Sequence, residues 1–166
     1  LRGRTPPGSW HIGVIGGSGL ADGIALDDAQ EIDVASPFGA PSGPVTTGWL
    51  GNVRFTFLAR HGAGHHIPPG DVNYRANIDV LKRCSVTDVL ALSAIGSLRE
   101  ELAPGSFVAV DQFIDRTAAR AASYFGPGLV AHVSLADPVC LRLAELAAQA
   151  AKAAGAAVHG GGCYVA

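Results

Sequence analysis

The stretch Phe55-Thr56-Phe57-Leu58-Ala59-Arg60-His61-Gly62-Ala63-Gly64-His65-His66 decides the fold. Its first five residues are aromatic, β-branched or apolar, the composition of a buried strand, and that strand runs directly into a fixed cation. Three of the chain's six histidines follow within a few residues. The small residues Gly62, Ala63 and Gly64 between them allow a backbone to approach a ligand closely. Arginine offers a planar fork of donors matched to carboxylate or phosphate, and a neighbouring histidine adds one or two more. The stretch therefore reads as an oxyanion pocket at the end of a strand, most simply for phosphate. Taken alone, an Arg-His pair at a strand end is more often a solvated loop, so the weight of the reading rests on what the rest of the chain brings to it.

Working outward, two other apolar strands end in the same way. Trp10-His11-Ile12-Gly13-Val14-Ile15 closes on Gly16-Gly17-Ser18-Gly19, and Asp88-Val89-Leu90-Ala91-Leu92 empties into Ser93-Ala94-Ile95-Gly96-Ser97. Glycines in the first turn let backbone N–H groups face an anion, and Ser18 adds a hydroxyl donor. No Gly-Lys-Ser/Thr follows, and the dinucleotide spacing fails because Asp22 stands where its third glycine belongs. In an open α/β sheet, ligands lie beyond the carboxyl ends of the strands. Ser18, Arg60, His61, Ser93 and Ala94 are thereby expected to converge on one site.

The remaining chain supplies scaffold. Val45–Leu50 and Val53–Ala59 read as strands joined by the two-residue connection Gly51-Asn52. Asp71 is the expected N-cap of a helix carrying Tyr74, Ile78 and Leu81 on its apolar face, with Lys82 and Arg83 at its end. Ser106–Val110 reads as a further strand, and 118–135 as a long connection containing His132. A second helix is expected over 137–155, with Asp137 as N-cap, Pro138 at its first position, a stripe of Val139, Leu143, Leu146 and Ala150, and Gly155 as stop. Short strand pieces follow around Gly160-Gly161-Gly162.

Composition narrows the classes. A chain of 166 residues that is 48% hydrophobic and 16% charged can bury a sizeable core. A net charge of −2 without any basic block argues against a nucleic-acid or anionic-membrane partner, so an anion site must be local. Cys84, Cys140 and Cys163 are odd in number and widely spaced, which suggests neither a disulfide framework nor a zinc knuckle and favours a cytoplasmic protein. The His61-x-x-x-His65-His66 spacing invites a metal reading, but the intervening glycines disfavour the helix that reading needs, and no third ligand is evident, so no metal is expected. No run of about 18 apolar residues predicts a membrane span, and no secretory signal is expected. Residues 1–9 read as a flexible N-terminal segment and 10–166 as one α/β domain. The lack of any Met, and an end at Tyr164-Val165-Ala166 in what reads as mid-strand, are expected of a segment of a longer protein.

Six segments together resemble the N-terminal part of the 5′-methylthioadenosine phosphorylases, members of the trimeric purine nucleoside phosphorylase family. They are residues 12–20, Ser36-Pro37-Phe38-Gly39, residues 57–62, Val72-Asn73-Tyr74-Arg75-Ala76-Asn77-Ile78, Ser93 to Glu100 and Asp111-Gln112-Phe113-Ile114-Asp115-Arg116-Thr117. The resemblance implies an α/β fold with a mixed central β-sheet flanked by helices, truncated on its C-terminal side, and a homotrimer. It implies phosphorolysis of 5′-methylthioadenosine to adenine and 5-methylthioribose 1-phosphate, with inorganic phosphate as co-substrate and no cofactor. Matched to the family's motifs, Ser18, Arg60, His61, Ser93 and the Ala94 backbone N–H are implied to hold phosphate. His132 is implied to reach the sugar bound by a neighbouring subunit. The aspartate that protonates the leaving purine is expected beyond Ala166. Another purine nucleoside phosphorylase, or a non-catalytic phosphate-binding fragment, would fit the same residues.

Overall fold

The computed structural model describes residues 10–17, 19–20 and 23–166. The expected N-terminal segment 1–9, and Ser18, lie outside the described residues. The chain divides into two compact units, one up to Ala94 and one from Ile95 onward.

The first unit is built on a five-stranded mixed sheet of order β2-β3-β4-β1-β5. Its strands are β1 (His11–Gly16), β2 (Asp27–Ile32), β3 (Val45–Leu50), β4 (Val53–Ala59) and β5 (Asp88–Ala91). β1 lies parallel to β4, with Gly16 opposite Ala59, and parallel to β5, with Ile15 opposite Ala91. β3 joins antiparallel to β4 through the expected two-residue turn, where Gly51 takes φ 60° and Leu50 faces Val53. That left-handed conformation is what a tight hairpin requires and what glycine supplies without strain. β2 pairs antiparallel with β3 and shifts register between Asp27 and Gln30. It escapes sequence reading because Asp-Asp-Ala-Gln-Glu-Ile is polar and largely exposed: an edge strand needs no apolar alternation.

Helix α1 (Tyr74–Arg83) packs on one face of this sheet, and Ile15, Val45, Leu58, Val80, Leu81 and Val86 form the core between them. Two expectations for α1 are corrected. The N-cap is Asn73 and not Asp71: Asn73 Oδ1 accepts the Ala76 N–H at 3.1 Å while its Nδ2 donates to the Phe38 carbonyl at 2.8 Å. Asp71 is held one turn earlier by its own N–H to the Pro68 carbonyl. The buried face is Ala76, Asn77, Val80 and Leu81, while Tyr74 and Ile78 are exposed. A stripe chosen for its largest apolar side chains misplaces the face because a fully bonded asparagine occupies part of it.

On β1, His11 is buried, with Nε2 2.7 Å from Thr56 Oγ1, which donates to Thr47 Oγ1 at 3.1 Å. Burial, with the Arg54 guanidinium second, pulls the His11 imidazole below its usual pKa.

In the second unit β6 (Phe107–Ala109) pairs parallel with β8 (Val158–Gly160), and β7 (Gln112–Ile114) pairs parallel with β9 (Cys163–Val165). Helix α2 (Leu141–Ala153) packs against β6 and β8. It starts later than expected. Cys140 is its N-cap with ψ 98°, an extended backbone that separates Asp137 and Pro138 from the helix. Its half-buried face is Leu143, Ala144, Ala147, Ala148 and Ala151, whereas Leu146 and Ala150 are exposed. Four alanines with Leu143, rather than the full expected stripe, make this face.

Two measurements check these assignments. Leu81→Ala should cost about 2–5 kcal/mol in denaturant unfolding, while Ile78→Ala on the same helix should cost under about 0.5 kcal/mol. For His11, the unfolded chain binds a proton near the ordinary imidazole value of about 6.5 and the native state only at lower pH. Its contribution to stability is therefore complete above that value and is lost as the pH falls through the native pKa. The stability gap between the parent and His11→Gln should accordingly shrink between pH 7.5 and 5, read from urea midpoints.

Candidate functional site

Because β1, β4 and β5 are parallel neighbours, their carboxyl ends share one edge of the sheet. Backbone pairing continues just past the strand ends: the Arg60 N–H donates to the Gly16 carbonyl at 2.9 Å and the Leu92 N–H to the Ile15 carbonyl at 2.8 Å. Arg60 and Ser93 are thus fixed on either side of the turn that follows β1. Arg60 Nη1 donates to Ser93 Oγ at 2.6 Å and to the Leu92 carbonyl at 3.4 Å. These two residues, 33 positions apart, meet as the sequence predicts. Ala94 follows Ser93 and is exposed.

His61 is buried behind the guanidinium. Its Nδ1 lies 2.8 Å from the Ile67 carbonyl, which can only accept, so Nδ1 carries the hydrogen. In the neutral ring Nε2 is then free to accept, and Arg60 Nε donates to it at 3.3 Å. One carbonyl therefore sets the tautomer, and the tautomer sets the plane of the fork. Among the described residues no partner takes up Arg60 Nη2, so two N–H groups of a fixed cation remain available at the edge, beside the Ser93 hydroxyl. That donor set suits a tetrahedral or planar oxyanion.

The loop after His61 turns sharply. Ala63–His65 form a single 3-10 turn interrupted by Gly64 at φ 72°, and the His65 ring packs 4.4 Å from that of His61. Gly62 also has φ 72°, and a Cβ there would fall 2.4 Å from His66 Cε1 and 3.0 Å from the Ser42 carbonyl. His66 is held in place by Nδ1 donating to the Ala63 carbonyl at 2.8 Å. A cavity of about 200 Å³ opens at the same edge, lined by Gly17, Gly19, Phe57, Ala59 and Gly62 among others. A larger hollow, about 490 Å³, involves Asp28, Trp49 and Arg54. It lies at the far end of β4, about 20 Å of extended chain from Arg60. Among the described residues no group of three or more His, Cys, Asp or Glu could hold a metal ion.

His132 lies in the second unit, exposed, within the connection 118–135. Two residues the sequence reading did not single out support the site: Ser42, whose hydroxyl donates to the Arg60 carbonyl at 2.7 Å, and Asn77, which bonds Ser42. A polar residue between Ala76 and Val80 on a core-facing helix turn was the available signal for Asn77. Ser42, in a loop dense in Pro and Gly, carried none.

The parallel strands of this sheet deliver a fixed arginine, a serine and an oriented histidine to one edge, where N–H and O–H donors gather. Residues 11–166 match the family described as the Phosphorylase superfamily, and the chain belongs to that family. It is 58% identical over 154 residues to the S-methyl-5′-thioadenosine phosphorylase of Cereibacter sphaeroides, covering 93% of this chain and 53% of that protein. It is 49% identical to the protein of the same name from Saccharolobus solfataricus, covering 93% and 57%. The chain spans about half the length of the curated relatives it matches. Among solved structures, a variant of the adenosine/methylthioadenosine phosphorylase of Schistosoma mansoni in complex with methylthioadenosine superposes with a TM-score of 0.86 at 36% identity, covering 94% of this chain and 62% of that one. The mixed sheet with flanking helices expected from the sequence agrees with these neighbours.

Gly62→Ala should destabilise the protein by about 1–3 kcal/mol, because it adds left-handed strain to a contact with backbone. Gly70→Ala, where nothing lies within 4 Å, should shift the unfolding midpoint far less.

Proposed function

We propose that this chain is the phosphate-holding part of a 5′-methylthioadenosine phosphorylase, in which inorganic phosphate displaces adenine to give 5-methylthioribose 1-phosphate. The observation that carries the reading is the contact between Arg60 and Ser93 at the shared carboxyl edge of β4 and β5. The names of the relatives support the substrate. Phosphate accepts from Arg60 Nη2, Ser93 Oγ and the Ala94 N–H, with Ser18 as a further donor from the first turn. His61 serves by holding the Arg60 fork. As the glycosidic bond loosens, positive charge develops on the sugar, so a phosphate fixed below the anomeric carbon both attacks and stabilises it. Positioning and charge complementarity do most of the work.

On this reading His132 contributes to the sugar of a neighbouring subunit in a homotrimer, and the protein is cytoplasmic. Among the described residues no helix is long and apolar enough to cross a membrane. A purine leaves as a poor anion unless it is protonated, and the acid for that step is expected on residues beyond Ala166. The scheme uses no metal or cofactor.

The test is calorimetric titration of inorganic phosphate into the parent and into Arg60→Ala, paired with purine release from methylthioadenosine, inosine and adenosine. Arg60→Ala should weaken phosphate by about 10- to 100-fold, the value of a charge-assisted hydrogen bond or two. An unchanged Kd overturns the site. Phosphate-dependent release from inosine in preference to methylthioadenosine overturns the substrate and leaves the site standing.

A further inference from the structure

We propose that Ser42 and Asn77 are positioning residues for the oxyanion site, acting through the backbone of Arg60; this rests on the phosphate reading of that site. Asn77 is 2% exposed and Ser42 6%, so both polar groups are removed from water and must be satisfied internally. They satisfy each other: the Ser42 N–H donates to Asn77 Oδ1 at 2.8 Å and Asn77 Nδ2 donates to Ser42 Oγ at 2.9 Å. The pairing fixes the amide orientation, since a flipped amide would set its NH₂ against the Ser42 N–H. It also fixes the hydroxyl. With Asn77 donating to its oxygen, Ser42 Oγ–H points to the Arg60 carbonyl at 2.7 Å.

The Arg60 carbonyl lies just past the end of the β3–β4 ladder. In the β3–β4 ladder Thr46 faces Phe57, and continuing that register sets Pro44 opposite Ala59. Proline has no N–H to donate, so the ladder stops there and the Ala59 carbonyl accepts the Gly62 N–H at 3.0 Å instead, while the next carbonyl, that of Arg60, takes the Ser42 hydroxyl. The Ser42 carbonyl abuts Gly62, so the same residue bounds His61 on both sides. The relay thus runs from a buried turn of α1 through one loop residue to the backbone carbonyl of Arg60, whose guanidinium reaches Ser93. A buried polar pair adds little net stability over an apolar one of the same shape, whereas this pair fixes where a cation stands.

The experiment compares Ser42→Ala, Ser42→Thr, Asn77→Leu, Arg60→Ala and Val86→Ala by calorimetric titration with inorganic phosphate, well below every melting temperature. Ser42→Ala and Asn77→Leu should each raise the phosphate Kd by about 5-fold or more, the equivalent of one lost hydrogen bond. Ser42→Thr, which keeps the hydroxyl, should stay within about twofold. Val86→Ala lies in the core away from the relay, and should lower the melting temperature while leaving the Kd within the same twofold margin. If Arg60→Ala abolishes phosphate binding but Ser42→Ala and Asn77→Leu lose only stability, the positioning role is wrong and the site stands. If the parent binds no phosphate, the oxyanion reading falls and this inference with it.

Discussion

The parallel pairing of β1 with both β4 and β5 is the constraint on which the structure depends. β1 lies between β4 and β5, and its residues from Ile12 to Ile15 pair on both sides. A one-residue slip in either pairing would invert every side chain of the moved strand across the sheet, exchanging Leu58, in the core, for neighbours of the opposite face. The same slip would part Arg60 from Ser93, since their meeting depends on the Gly16 and Ile15 carbonyls that accept from the residues just past β4 and β5. Core and site are therefore specified by one register.

That dependence explains what the sequence made legible. β3 and β4 stand out because β-branched and aromatic residues flank a two-residue turn, and their buried ends sit in the core. Arg60 and Ser93 stand out because polar residues directly after apolar strands are conspicuous, and parallel strands must end at one edge. β2 is hidden in the sequence: among the described residues its only partner is β3, it is interrupted at Asp28 with φ 51°, and an exposed edge imposes no alternation. The helix faces were misjudged for a related reason. Periodicity ranks positions by the size of apolar side chains, but α1 buries Asn77 and α2 turns its alanines inward. A satisfied amide and a close approach of backbone are both properties of the partner surface, which a single segment does not encode.

The two units differ in what holds them. The first has a continuous sheet, a helix and six buried apolar residues gathered in one cluster. The second has two separate pairs of three-residue strands and a helix with no buried residue. Isolated two-stranded pairings are marginal on their own, so the cooperative stability of the chain resides mainly in the first unit. The contact between Arg60 and Ser93 belongs to that unit.

Rigidity has a direct electrostatic consequence here. With a net charge of −2, the chain as a whole offers no attraction for an anion, so the proposed phosphate binding rests on donors already aimed when the anion arrives. Arg60 is constrained at four points: its N–H by Gly16, its carbonyl by Ser42, Nε by His61 and Nη1 by Ser93. A solvated arginine would lose up to about 2 kcal/mol of rotamer freedom on binding, comparable with the net gain from a charged hydrogen bond. Much of that loss is taken at folding here, where it is offset by the bonds that hold the side chain. The same bonds consume donors, and Nη2 with the Ser93 hydroxyl is what remains to face a ligand. A single arginine serves only when its neighbours occupy the rest of the fork.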